Sequence, residues 1–153
     1  MTDLRRGKYF EEFEVGMSFT SPGRTVTESD IVSFAGLSGD YTQIHTDVEF
    51  SKGTVVGERV AHGLLGLAIL SGLVVRTGVL EGTVIAFREI VNWKFVKTIF
   101  IGDTVHVDLK VLDAKPLPRL GGGAVNIDIR LINQNDDVVM KGVWKILVAS
   151  SPE

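Results

Sequence analysis

Gly63-Leu-Leu-Gly-Leu-Ala-Ile-Leu-Ser-Gly-Leu-Val-Val75 is the most hydrophobic stretch of the chain, thirteen residues without a charge that end at Arg76. A membrane crossing needs about twenty such residues, so this stretch is too short to span a bilayer. Wound as a helix it is apolar on every face, and such a helix belongs inside a protein with cover on all sides. We expect it over residues 62–76. Its cover lies downstream. Val105, Val107, Leu109 and Val111 alternate with His106, Asp108 and Lys110, and Val125, Ile127, Ile129 and Leu131 alternate with Asn126, Asp128 and Arg130. A period of two marks strands with one buried face. Gly102-Asp103, Gly121-Gly-Gly123 and Asn133-Gln-Asn-Asp-Asp137 punctuate these runs as turns. With residues 84–97 before them and 138–148 after, the pattern predicts a mostly antiparallel sheet of about five or six strands, and so the α+β class.

Upstream, Thr27-Glu-Ser-Asp30 reads as a helix start. The Thr27 hydroxyl accepts from the amide three residues on, while Asp30 reaches back as a shorter stand-in for Glu. Val26 and Ile31 form the accompanying staple; Ile31, Phe34 and Ala35 follow at helical spacing, and Gly39 stands where a left-handed cap ends the helix. Residues 13–26 carry the turn signals Val15-Gly-Met-Ser18 and Ser21-Pro-Gly-Arg24 and suit a short strand with its connection. Residues 40–59 are polar and irregular, broken by Gly53 and Gly57, and predict a long loop with about one helical turn. Loops of this length are usually functional.

The 153 residues are the size of one domain, with no repeat, low-complexity tract or long linker, so a single domain over 1–153 is expected. Hydrophobic residues at 44% and charged residues at 23% exclude a disordered chain. A net charge of −3 provides no positive field for tracking phosphates, so nucleic acid is not an expected partner. The absence of cysteine removes disulfides, thiolate metal sites and cysteine nucleophiles. Met1-Thr-Asp-Leu-Arg-Arg-Gly-Lys-Tyr-Phe10 has charge where an export signal is apolar, which makes the cytoplasm the expected location. Ser38, Ser51 and Ser71 lack a nucleophile-elbow setting, and Gly121-Gly-Gly123 is not followed by the Lys-Ser/Thr of a phosphate cradle. Three histidines widely separated in sequence predict no metal site.

Asp40 and His45 are the candidate chemical pair. On one helix they would stand about 140° out of phase, and on an extended chain roughly 17 Å apart, so only a folded-back loop joins them. A carboxylate and an imidazole in such a loop can hold one water, one taking its proton and the other delivering a proton to a substrate. Spacing alone leaves open the ordinary alternatives of a turn aspartate and a structural histidine.

The segment Phe34-Ala-Gly-Leu-Ser-Gly-Asp-Tyr-Thr-Gln-Ile-His45, followed by Ala61-His-Gly-Leu-Leu65 and later by Phe95-Val-Lys-Thr-Ile-Phe-Ile-Gly-Asp-Thr104, resembles the signature of the MaoC-like dehydratases, the (R)-specific enoyl-CoA hydratases. Thr42-Gln43 stands where that family has Asn-Pro, and Lys94 and Thr98 where Arg and Pro are common. The resemblance implies a hot-dog fold, an antiparallel sheet wrapped around a central apolar helix. It implies reversible hydration of a trans-2-enoyl-CoA to the (R)-3-hydroxyacyl-CoA without a cofactor, Asp40 and His45 sharing the water. Gly63 is expected to meet the developing thioester oxyanion with its backbone N–H, where glycine lets the substrate approach closely; tight packing of the helix start is a compatible role. His62 has three readings, ranked as helix-start hydrogen bonding, support of the loop carrying Asp40, and direct catalysis. His62, Lys94 and Lys97 are expected to line the substrate site, with Lys52 and Arg76 as further candidates for the coenzyme A phosphates. The thioester carrier is coenzyme A or an acyl carrier protein, and the resemblance implies at least a homodimer with the substrate in an interfacial tunnel. Two rivals stand beside this reading: a hot-dog acyl-CoA thioesterase and a non-catalytic acyl-binding subunit.

Overall fold

The computed structural model describes residues 7–152. Most of the charged N-terminal stretch that speaks against an export signal lies outside these residues. The strands are β1 (Ser18–Thr20), β2 (Arg24–Thr25), β3 (Val84–Phe95), β4 (Thr104–Leu117), β5 (Gly122–Ile132) and β6 (Val138–Ala149). The helices are α1 (Glu28–Ser38), α2 (Gln43–Thr46), α3 (Val48–Lys52) and α4 (Gly63–Arg76), with short 3-10 turns at Phe10–Glu12 and Pro118–Leu120. The sheet is antiparallel in the order β1-β4-β5-β6-β3, and β2 also pairs with β4.

The alternating residues meet in register: Val107 opposite Leu131, Leu109 opposite Ile129 and Val111 opposite Ile127, with Ile127 and Val125 in turn opposite Trp144 and Ile146. Their buried side chains share one core with Leu65, Ile69, Leu70, Leu73 and Val74 of α4. Gly66 lets the helix settle close to the sheet, for a Cβ there would stand 2.2 Å from Met140 Cε and 2.8 Å from Ile99 Cδ1. A sheet curled around one apolar helix is the hot-dog fold.

The predicted caps of α1 are present. Thr27 Oγ1 accepts from Asp30 N–H, the Thr27 N–H donates to Asp30 Oδ2, and Gly39 adopts the left-handed conformation at φ 76°. Val26 and Ile31 are both fully buried.

Three expectations are corrected. Residues 40–59 form two short helices, α2 and α3; the Asp47 carboxylate between them accepts from Phe50 N–H, and the Ser51 hydroxyl donates to Ile44 C=O. Hydrogen-bonding side chains build these turns without any apolar periodicity to announce them. In the second, the chain turns through Pro118–Leu120 and Gly121, which alone of the three consecutive glycines has positive φ, at 71°; Gly122 and Gly123 open β5. They lie there because a Cβ on Gly122 would strike Val148 C=O and one on Gly123 the Phe10 ring. Finally, α4 is covered by its own chain on one side only. Leu64, Ala68, Ser71, Gly72 and Val75 stay exposed, and with Phe87 and Ile90 of β3 they border an apolar groove of about 780 Å³. Among the described residues no helix is long and apolar enough to cross a membrane.

Candidate active site

The site assembles where the loop after α1 meets the start of α4. Gly39 ends α1 and turns the chain, after which Asp40 and Thr42 form a closed local turn: Asp40 Oδ1 accepts from the Thr42 N–H at 3.1 Å and from its hydroxyl at 2.5 Å. Both bonds favour the ionised carboxylate. The Thr42 hydroxyl and then its N–H hold the Asp40 carboxyl below the usual range, with smaller contributions from His62 and His45. Thr42 thus positions Asp40, a role that its place in the sequence signals only through the Asp-x-Thr spacing of such turns.

One turn of α2 carries His45 back towards Asp40. Its Nδ1 lies 2.8 Å from Val60 C=O, so it donates to that carbonyl, leaving Nε2 for chemistry. His62, 3% exposed, precedes α4 but does not cap it with its side chain; its Nε2 lies 2.9 Å from Asp40 C=O and donates there. The two imidazoles stack at 3.8 Å and 27°, and Phe34 tilts against His62 at 4.9 Å. Of the three readings for His62, the geometry matches support of the Asp40 loop.

Sequence separation misled in one respect, since His45 and His62 are not apart. A nitrogen of each imidazole and a carboxylate oxygen of Asp40 lie within 4.8 Å of one another. Two hydrogen bonds of about 2.8 Å meeting at a water's tetrahedral angle span about 4.6 Å, which lies within that limit. A metal ion fits poorly. An imidazole binds a metal in its own ring plane, and two stacked planes 3.8 Å apart and only 27° from parallel do not meet within bonding distance of both rings.

Gly63 is the first residue of α4, directly after His62, and the opening N–H groups of a helix have no intrahelical partner. A cleft of about 300 Å³ at this point is lined by His62, Gly63, Phe95, Lys97, Ile99 and Met140 among others. A Cβ on Gly63 would stand 3.0 Å from the Phe95 ring, so the glycine keeps the approach narrow but open. Lys97 borders the cleft while paired with Asp137 at 2.7 Å. Lys94 is exposed nearby on β3, and Lys52 pairs with Glu49 at 2.6 Å. Arg76 is not brought to the site: it lies at the far end of α4, about 20 Å along the axis from Gly63.

The fold and the site define a hot-dog domain with an Asp/His pair facing a helix N-terminus. The model of the MaoC like domain matches residues 12–127. Protein MaoC of Klebsiella aerogenes is 43% identical over 102 residues, which cover 67% of this chain and 30% of that protein; the chain thus spans under a third of it. An (R)-specific enoyl-CoA hydratase of Rhodospirillum rubrum is 33% identical over 108 residues, 71% of this chain and 72% of that one. The crystal structure of a MaoC-like dehydratase from Rhodospirillum rubrum superposes with a TM-score of 0.85 at 26% identity, over 96% of this chain and 100% of that one. The chain belongs to the MaoC-like domain family.

Proposed function

We propose that this chain, acting as a single hot-dog domain, hydrates trans-2-enoyl thioesters of coenzyme A or acyl carrier protein to (R)-3-hydroxyacyl thioesters, reversibly, as a step of fatty-acyl metabolism in the cytoplasm. The observation that carries the reading is the convergence of the Asp40 carboxylate and the His45 imidazole, within 4.8 Å of one another, beside the start of α4. Asp40, kept ionised by Thr42, accepts a proton from the water as its oxygen bonds to C3 of the substrate. Protonated His45 gives its Nε2 proton to C2, and a proton passing from Asp40 to Nε2 restores both groups. Negative charge gathers meanwhile on the thioester oxygen, and the Gly63 N–H at the positive end of α4 receives it. Lys97 and Lys94, at the cleft and beside it, are the candidates to meet the carrier's phosphates.

The (R) outcome is supported by similarity to the Rhodospirillum rubrum hydratase. A homodimer is supported by the apolar groove along α4 and by the exposed apolar residues of β3, which ends the sheet. A second copy laid there would cover both. The test is incubation of purified protein with short and medium enoyl-CoA substrates, with the product resolved on a chiral column. An (R)-3-hydroxyacyl-CoA product is expected. Release of free CoA thiol would make the chain a thioesterase, and no turnover at all would leave an acyl-binding subunit.

A further inference from the structure

Both groups of the proposed dyad are referenced to one short segment, residues 60–62. Val60 C=O accepts from His45 Nδ1, while His62 Nε2 donates to Asp40 C=O. The segment is itself pinned: Ala61 N–H donates to Ile99 C=O at 2.9 Å, and Val60 bridges to Phe100. The next residue is Gly63. So the base, the acid and the oxyanion donor all take their positions from four consecutive residues that are anchored to the connection between β3 and β4.

Within that segment His62 is a costly choice for a space-filling side chain. It is buried against Phe34 and His45, and its Nδ1 finds no hydrogen-bond partner among the described residues. A phenyl ring would fill the same volume without burying an unsatisfied acceptor. The polarity of the ring has one use, the bond to the main chain of Asp40. Its face has another, since the stack and the Val60 bond together fix the plane of the His45 ring.

We infer that His62 is a positioning residue that sets the separation of Asp40 and His45, through its Nε2–H bond to the Asp40 carbonyl and its stack on the His45 ring. The inference rests on the hydratase reading. It does not give His62 a contact with substrate, and its effect therefore belongs in kcat. A displacement of about 1 Å between reacting groups is worth up to about a hundredfold in rate.

The decisive pair is His62→Gln, which keeps an N–H donor near the Nε2 position, and His62→Met, of similar length without one. Both lose the stack, so their difference isolates the bond to Asp40. Crotonyl-CoA hydration by His62→Met is expected to fall about a hundredfold in kcat with KM within about threefold, and His62→Gln to recover about tenfold of that loss. Equal kcat values for the two folded variants, or a loss confined to KM, would overturn the inference. If His62→Met does not fold, His62→Leu takes its place, likewise without ring or donor. Failure of the underlying reading looks different: wild-type protein would leave crotonyl-CoA unchanged, or Asp40→Asn would match wild type. Only with wild type active and Asp40→Asn impaired does the Gln and Met comparison bear on His62.

Discussion

Asp40→Asn separates chemistry from scaffold at the one residue on which the proposed reaction turns. The Asn side-chain oxygen can accept the same two bonds from Thr42 that Asp40 Oδ1 accepts now, and the main-chain carbonyl remains for His62. The loop should therefore keep its shape. What disappears is the group that takes a proton from water, because a neutral amide nitrogen cannot serve as that base. Loss of a positioned acid or base typically costs about a hundred- to ten-thousandfold in rate, and the retained turn confines the loss to kcat. The melting temperature should move by no more than about 2 °C, as for exposed substitutions in a domain of this size. The assay is loss of the enoyl thioester chromophore under saturating crotonyl-CoA, with circular dichroism to establish folding. A folded variant that keeps more than about a tenth of wild-type kcat would refute the assignment of Asp40 as the proton acceptor.

Thr42→Val removes the hydroxyl that contributes most to keeping Asp40 ionised. Because that bond lowers the carboxyl's protonation range, its loss moves the acidic limb of the kcat/KM profile to higher pH and leaves the basic limb in place. By the same linkage, the stability that Asp40 gains from Thr42 is present above the ordinary carboxylate range and is lost as the pH falls through the depressed one. Gly66→Ala and Gly36→Ala should have opposite effects on thermal stability. The first must displace Met140 and Ile99 at a cost of about 2 kcal/mol, more than the helix-propensity gain of about 1 kcal/mol that the second realises, since its new methyl meets only the Tyr41 hydroxyl at 3.7 Å. Shifts of the same sign in a urea titration would count against the close packing at Gly66. Ile90→Lys puts a charge into the apolar groove and should yield monomers in sedimentation velocity; a dimer as tight as wild type would place the interface elsewhere.

Much of the molecule is legible from short-range patterns. The two alternating runs in β4 and β5, the capping box at Thr27 and the left-handed Gly39 are local features, each dictated by a few neighbouring residues, and each stands where the pattern puts it. The helices α2 and α3 escaped because side-chain hydrogen bonds at Asp47 and Ser51 build them without an apolar stripe. The three consecutive glycines misled because two of them answer to distant neighbours, the Val148 carbonyl and the Phe10 ring. Covering α4 on every side was likewise an expectation about one chain, whereas the groove presents a face that its own sheet leaves open.

Local patterns specify α1, α4, the long alternating strands, the core stripes and the residue types able to do acid–base chemistry, because periodicity and caps act over one or two turns. His62, twenty-two residues beyond Asp40, lies against its carbonyl and on the face of His45 because the folded chain brings the start of α4 to the loop after α1. Those relations depend on where separate segments are anchored in space. No spacing along the chain encodes them.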